Sequence, residues 1–235
     1  MRTPVETAHP SPNHDDRDGH AVCLIVLHYT GMRTGAEALE RLCDPAAKVS
    51  AHYLVEEDGR IFRLVPEERR AWHAGVACWA GVEDVNARSI GVEIVNPGHE
   101  WGYRDFPAVQ VQSVLDLVAD LATRHGIAPS SVVGHSDVAP NRKDDPGEKF
   151  PWARLAEEGL ALAPWSGDAV DPVPDGFAAL ALLEEIGYGV TRFGPSACLS
   201  AFQRRFAPRL LGQSLSPETR AAIAEVHAAA MALNR

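Results

Sequence analysis

Residues 21–28, AVCLIVLH, place seven apolar side chains in a row and close them with a histidine. An unbroken apolar run of this length suits a strand covered on both faces, as in the parallel sheets of α/β proteins. Val132-Val133-Gly134 is a second, shorter run, and it also ends at a histidine, His135. In open α/β sheets, ligands gather at the carboxyl ends of the strands, which is where both histidines fall.

Outward from these runs, strand and helix signals alternate. Thr34-x-x-Glu37 is a capping-box signature that opens a short helix ending before Asp44-Pro45. Residues 49–55 and 60–65 read as two strands, with Asp58-Gly59 between them as a hairpin turn and Pro66 closing the second. In residues 89–95, Ile90, Val92 and Ile94 share one face, while Gly91 and Glu93 share the other. Pro107 starts a helix in which Val111, Val114, Leu115, Val118, Leu121 and Ala122 follow the helical period until Gly126 stops it. Residues 136–151 are rich in proline, glycine and charge and read as loop.

The expected fold is α/β: a mixed central β-sheet flanked by helices, over residues 21–162. Residues 1–20 read as a flexible N-terminal arm. Residues 163–175, with Pro164, Pro172 and Pro174, read as a linker. Residues 176–235 carry three amphipathic helical patterns and no strand. Phe177, Leu180, Leu183 and Ile186 mark the first, Leu199, Phe202 and Phe206 the second, and Ile223 and Val226 the third.

The chain has 235 residues, of which 46% are hydrophobic and 23% charged, the profile of a globular protein. A net charge of -10 argues against nucleic acid or anionic lipid as a partner, since phosphate binding needs basic surface. No apolar stretch approaches the roughly 20 residues of a membrane helix. The N-terminus lacks the apolar core of a signal peptide, so the expected location is cytoplasmic, or periplasmic if a signal has been trimmed. Cys23, Cys43, Cys78 and Cys198 form no C-x-x-C pair and do not describe a disulfide scaffold; Cys23, inside the apolar run, is expected to be a buried thiol.

Two imidazoles at strand ends and Asp145, ten residues after His135, suit a tetrahedral zinc with one open position. Each alone has a simpler reading as a structural or exposed side chain. Glu93 interrupts an apolar strand. It is either paired with an arginine such as Arg88, on a solvated face, or a general base beside a metal. Lys143 is either a solubilising loop lysine or a stabiliser of a developing oxyanion. Nothing resembles G-x-S-x-G, and no cysteine sits in a nucleophile motif.

The stretch 134–147, GHSDVAPNRKDDPG, resembles the signature loop of the type 2 N-acetylmuramoyl-L-alanine amidases, relatives of the peptidoglycan-recognition proteins. Four more stretches agree in order: 26–30 (VLHYT), 50–53 (SAHY), 70–75 (RAWHAG) and 89–93 (SIGVE). The resemblance implies Zn2+ on His28, His135 and Asp145, with Glu93 activating water and Lys143 stabilising the tetrahedral intermediate. It places Trp72 and His73 along a groove for a muropeptide or peptidoglycan substrate. The branch with a cysteine ligand and a catalytic tyrosine is not matched, since the corresponding positions hold Asp145 and Ala51. His52 is expected to be structural, because a fourth protein ligand would close the open position. Residues 183–189 (LEEIGYG), 201–206 (AFQRRF) and 215–219 (LSPET) resemble a three-helix peptidoglycan-binding domain. The alternative for that module is an appendage that only packs on the catalytic domain.

Overall fold

Side chains at alternating positions of the strand read from residues 21–27 enter two different cores. Leu24 and Val26 point to one, Ile25 and Leu27 to the other. The computed structural model describes residues 4–168 and 175–233. In chain order, β1 (Val5–Glu6) and β2 (His14–Asp16) precede β3 (Leu24–Tyr29), which is followed by α1 (Gly35–Cys43). Next come β4 (Tyr53–Val55), β5 (Ile61–Arg63), β6 (Arg69–Ala71), the single turn α2 (Val85–Arg88) and β7 (Ser89–Ile94). The short α3 (Gly98–Trp101) leads to the long α4 (Ala108–His125). β8 (Val132–Gly134) runs directly into α5 (His135–Val138), and α6 (Trp152–Glu157) follows. The C-terminal module comprises α7 (Gly176–Ile186), the one-turn α8 (Val190–Phe193), α9 (Pro195–Phe206) and α10 (Pro217–Leu233).

The expected mixed sheet is present, with strand order β1-β5-β4-β7-β3-β8. β7, β3 and β8 run parallel, with Ile25 opposite both Ile90 and Val132, and β4 pairs antiparallel with β5. α4 covers one face, burying Val114, Val118 and Leu121 against Ile25, Leu27, Ile90, Val92 and Ile94. The other face carries Leu24, Val26 and Val133 in one continuous core with Leu183, Phe202, Phe206 and Ile223 of the C-terminal module. Burying an aliphatic or aromatic side chain of this size contributes about 1.5–3 kcal/mol, so the module is a substantial covering layer of the sheet. No helix among the described residues is long and apolar enough to cross a membrane.

Local signals in the sequence have clear counterparts. Thr34 caps α1 by accepting the Glu37 amide, and α4 stops at Gly126, whose φ of 66° is left-handed. Three expectations need correction. The strand starts at Leu24, so Cys23 is exposed. Phe177 is also exposed, and α7 turns Ala179, Leu183 and Ile186 inward.

The third correction concerns the segment read as a flexible arm, which from residue 4 onward lies on the domain. β1 joins the edge of the main sheet beside β5, and β2 forms a two-stranded ribbon with β6. Polar side chains hold it: Asn13 Nδ2 donates to the Asp44 and Val49 carbonyls, and buried Arg17 donates to those of Ala87 and Ser89. Of the expected linker, residues 169–174 lie outside the described residues, as do residues 1–3 of the arm and 234–235 of the helical module. The described remainder of the linker docks, with the Trp165 amide donating to the Phe206 carbonyl.

Candidate functional site

The topology brings three strand ends together. His28 lies near the end of β3, Glu93 sits directly beside it in register on β7, and His135 follows β8. The loop after α5 then folds back, because the Ser136 amide donates to the Asp145 carbonyl at 2.8 Å. His28 Nδ1, His135 Nδ1 and Asp145 Oδ2 consequently lie 2.9–3.0 Å apart, all buried. Among the described residues this is the one cluster of three or more histidine, cysteine or carboxylate groups able to hold a metal ion.

Outer hydrogen bonds determine which atoms of this cluster carry protons. His135 Nε2 faces the Ala74 carbonyl at 3.1 Å, so Nε2 carries a proton and Nδ1 is the free donor atom of the neutral ring. The hydroxyl of Ser89 spends its proton on the Val85 carbonyl, so its oxygen accepts from His73 Nε2 at 3.1 Å. His73 Nδ1 is then an acceptor, and the group it faces at 3.0 Å is His28 Nε2. His28 Nδ1 is therefore bare as well. Burial, reinforced by His135, lowers the His28 pKa to about 4 and keeps the ring neutral at physiological pH. With both rings in these neutral tautomers, two bare nitrogens and a carboxylate oxygen meet with no proton to bridge them. A cation resolves that arrangement, and an N2O donor set fits zinc.

The cluster lies on the floor of a cleft of about 710 Å³. Glu93, Lys143, Trp72 and His73 all line it, so the structure gathers every candidate residue named from the sequence. Glu93 Oε2 is buried without a hydrogen-bond partner, and the flanking residues in register are His28 and Leu54, not Arg88. Burial, with Asp145 adding to it, raises its pKa well above the ordinary value. Trp72 Nε1 is likewise a buried donor without a partner. His73 differs from the expectation for a groove residue: both ring nitrogens are engaged by the protein, and its ring packs edge-on against His28. His52 is fully buried, with Nδ1 accepting the Gly91 amide and Nε2 facing the Arg69 carbonyl, and it stands outside the cluster.

Residues 18–148 match the N-acetylmuramoyl-L-alanine amidase family. The AmiD amidase of Escherichia coli is 36% identical over 84% of this chain and 79% of its own length. The chain belongs to the N-acetylmuramoyl-L-alanine amidase family. It is thus an amidase, a hydrolase of amide bonds. AmiD of E. coli in complex with anhydro-N-acetylmuramic acid-L-Ala-D-gamma-Glu-L-Lys superposes with a TM-score of 0.76 at 34% identity, over 87% of this chain and 88% of that one. AmpDh3 of Pseudomonas aeruginosa, in complex with an anhydromuramic pentapeptide, gives 0.76 at 34%, over 86% and 90%. AmpD of Citrobacter freundii, a 1,6-anhydro-N-acetylmuramyl-L-alanine amidase, is 36% identical over 62% of this chain and 86% of its own length.

Several supports of the amidase site went unread in the sequence. Ser89 stands behind His73, and Arg142 donates to the Ala74 and Val76 carbonyls, tying the cleft wall to the signature loop. Gly91 carried a usable signal. A glycine inside a strand marks a close approach, and a Cβ there would lie 2.5 Å from the His73 ring.

Proposed function

We propose that this amidase hydrolyses the bond between the lactyl group of N-acetylmuramic acid, in its 1,6-anhydro form, and the L-alanine of cell-wall muropeptides, as a zinc enzyme of wall recycling. The observation that carries the reading is the meeting of two imidazole nitrogens and a carboxylate oxygen within 3.0 Å of one another, beside the buried, unpartnered Oε2 of Glu93. The anhydro sugar is supported by the anhydromuramyl ligands of the AmiD and AmpDh3 complexes.

His28, His135 and Asp145 would hold the zinc, which supplies Lewis acidity and brings the pKa of water down to about 7. Glu93 accepts the proton of the attacking water through Oε2, whose raised pKa makes it an effective base and, once protonated, an effective acid. It then returns that proton to the departing L-alanine amine. The Lys143 ammonium lines the same cleft and stabilises the charge developing on the carbonyl oxygen. Trp72 Nε1 offers a donor to the sugar or the stem peptide.

The test is mass spectrometry of the products from a soluble anhydromuropeptide and from insoluble sacculi, with and without a chelator. Release of free stem peptide from the soluble substrate, abolished by the chelator and restored by zinc, is the expected result. Bound zinc with no peptide release overturns the enzymatic reading. Cleavage of sacculi alone overturns the recycling assignment.

A further inference from the structure

The C-terminal module reaches the site through a fully buried polar link. Asp137, on α5, has no exposed surface and receives three donors: the Gly134 amide at 2.7 Å, Arg205 Nη1 at 2.6 Å and the Tyr188 hydroxyl at 2.6 Å. Two of the three come from the module. Arg205 is 2% exposed, and its other nitrogen, Nη2, donates to the Val132 carbonyl at 2.9 Å. Its guanidinium lies over the rings of Trp152 and Phe206, at 4.1 and 4.5 Å. One side chain of α9 thereby joins β8 to α5 across the Gly134–His135 junction.

That junction sets the site. α5 opens with His135, and the Ser136 amide on α5 holds the Asp145 carbonyl. Two of the three donor residues are thus fixed to the helix that Asp137 anchors. On the far side of the same loop, Arg204 Nη2 pairs with Asp144 Oδ1 at 2.6 Å, one residue before Asp145. A module that merely tethers a domain needs none of this, because a linker suffices and buried charges are costly unless closely paired. The buried Arg205–Asp137 pair and the Arg204–Asp144 pair both fall on the segment that carries His135 and Asp145.

We propose that the C-terminal module is a positioning element of the metal centre: Arg205 and Tyr188, acting through Asp137, set the orientation of α5 and with it His135 and Asp145. The proposal rests on the zinc reading above. The role does not depend on wall binding by the module.

The test uses the full chain with Arg205→Lys, which keeps the charge but loses the second donor nitrogen of the guanidinium fork and the planar stacking, and with Tyr188→Phe, which keeps the ring and loses one hydrogen bond. Arg192→Gln, at an exposed ion pair with Glu83, is the control. Zinc dissociation constants are measured by competition with a chromogenic chelator. The visible spectrum of the cobalt-substituted protein reports ligand geometry, and circular dichroism shows that each variant is folded. Zinc binding is expected to weaken about tenfold in Arg205→Lys and about threefold in Tyr188→Phe, at and below the lower end of the roughly 10–100-fold seen for groups that orient metal ligands. The cobalt spectrum shifts, kcat falls with KM little changed, and the control is unaffected. If Arg205→Lys does not fold, Tyr188→Phe carries the test. Zinc affinity and cobalt spectra unchanged from wild type, with only a lower Tm, overturn the proposal. Failure of the wild type to bind zinc overturns the metal reading itself and is distinct from that outcome.

Discussion

Replacing Glu93 by glutamine should improve the fold while removing the chemistry. The change is nearly isosteric and deletes only a charge whose Oε2 is buried without a partner. The amide keeps the unpartnered polar atom but carries no charge, and each pKa unit by which burial opposes that charge corresponds to about 1.4 kcal/mol. In metal-free protein, Glu93→Gln should therefore gain about 1–3 kcal/mol near neutral pH, and each kcal/mol is worth about 2–4 °C in Tm for a chain of this size. The pH dependence follows from the raised pKa. Between the ordinary glutamate value of about 4.3 and the raised folded value, the native state holds a proton that the unfolded state has released, so wild-type stability falls as pH rises through that window. The advantage of Glu93→Gln should vanish at low pH, where both states are protonated, and open as pH rises. Activity should move the other way, with kcat down about 10²–10⁴-fold for loss of the proton carrier. Thermal melts of chelated protein across pH, beside turnover of an anhydromuropeptide, measure both. A variant that melts below wild type at pH 7.5, or that keeps activity within tenfold, refutes the reasoning.

Three further outcomes follow from the geometry. Ser89→Ala removes the acceptor that orients His73 and should weaken zinc binding about tenfold by chelator competition, with the fold intact. Gly91→Ala would press a methyl group into the His73 ring, so a loss of zinc affinity is expected with little change in far-UV circular dichroism. Leu183→Ala opens a cavity in the core shared by sheet and module and should cost about 2–5 kcal/mol in urea unfolding, as a single transition rather than separate melting of the module.

Strand ends that carry the candidate site were legible because the pattern changes type there: apolar runs in β3 and β8 stop at His28 and His135, and Glu93 is the one charged residue of β7. Asp145 was legible from the signature loop, although its closure depends on the Ser136 amide, which no side-chain pattern encodes. The N-terminal segment was misread because Asn13 and Arg17 hold it through backbone carbonyls, and such bonds leave no hydrophobic periodicity. His73 lines the cleft, yet its ring nitrogens face His28 and Ser89, a division of labour visible only once β7 is folded beside it. Docking of the module was hidden for a related reason: an amphipathic helix announces an apolar face without naming the surface that covers it.

The Ala74 carbonyl accepts from both His135 Nε2 and Arg142 Nη2, in the same turn that presents Trp72 to the cleft. One oxygen thus ties the shape of the cleft wall to the tautomer of His135. A sequence change that reshapes this turn for a different muropeptide also disturbs His135, so selectivity and the geometry of the three-donor cluster cannot drift apart here. A freer wall of the lining is the one where Arg33 lies over the Trp101 ring at 4.0 Å, with no hydrogen bond among the described residues joining either side chain to the three donors. Divergence in substrate choice among relatives of this chain should accumulate on that wall, and the turn at Ala74 should stay fixed.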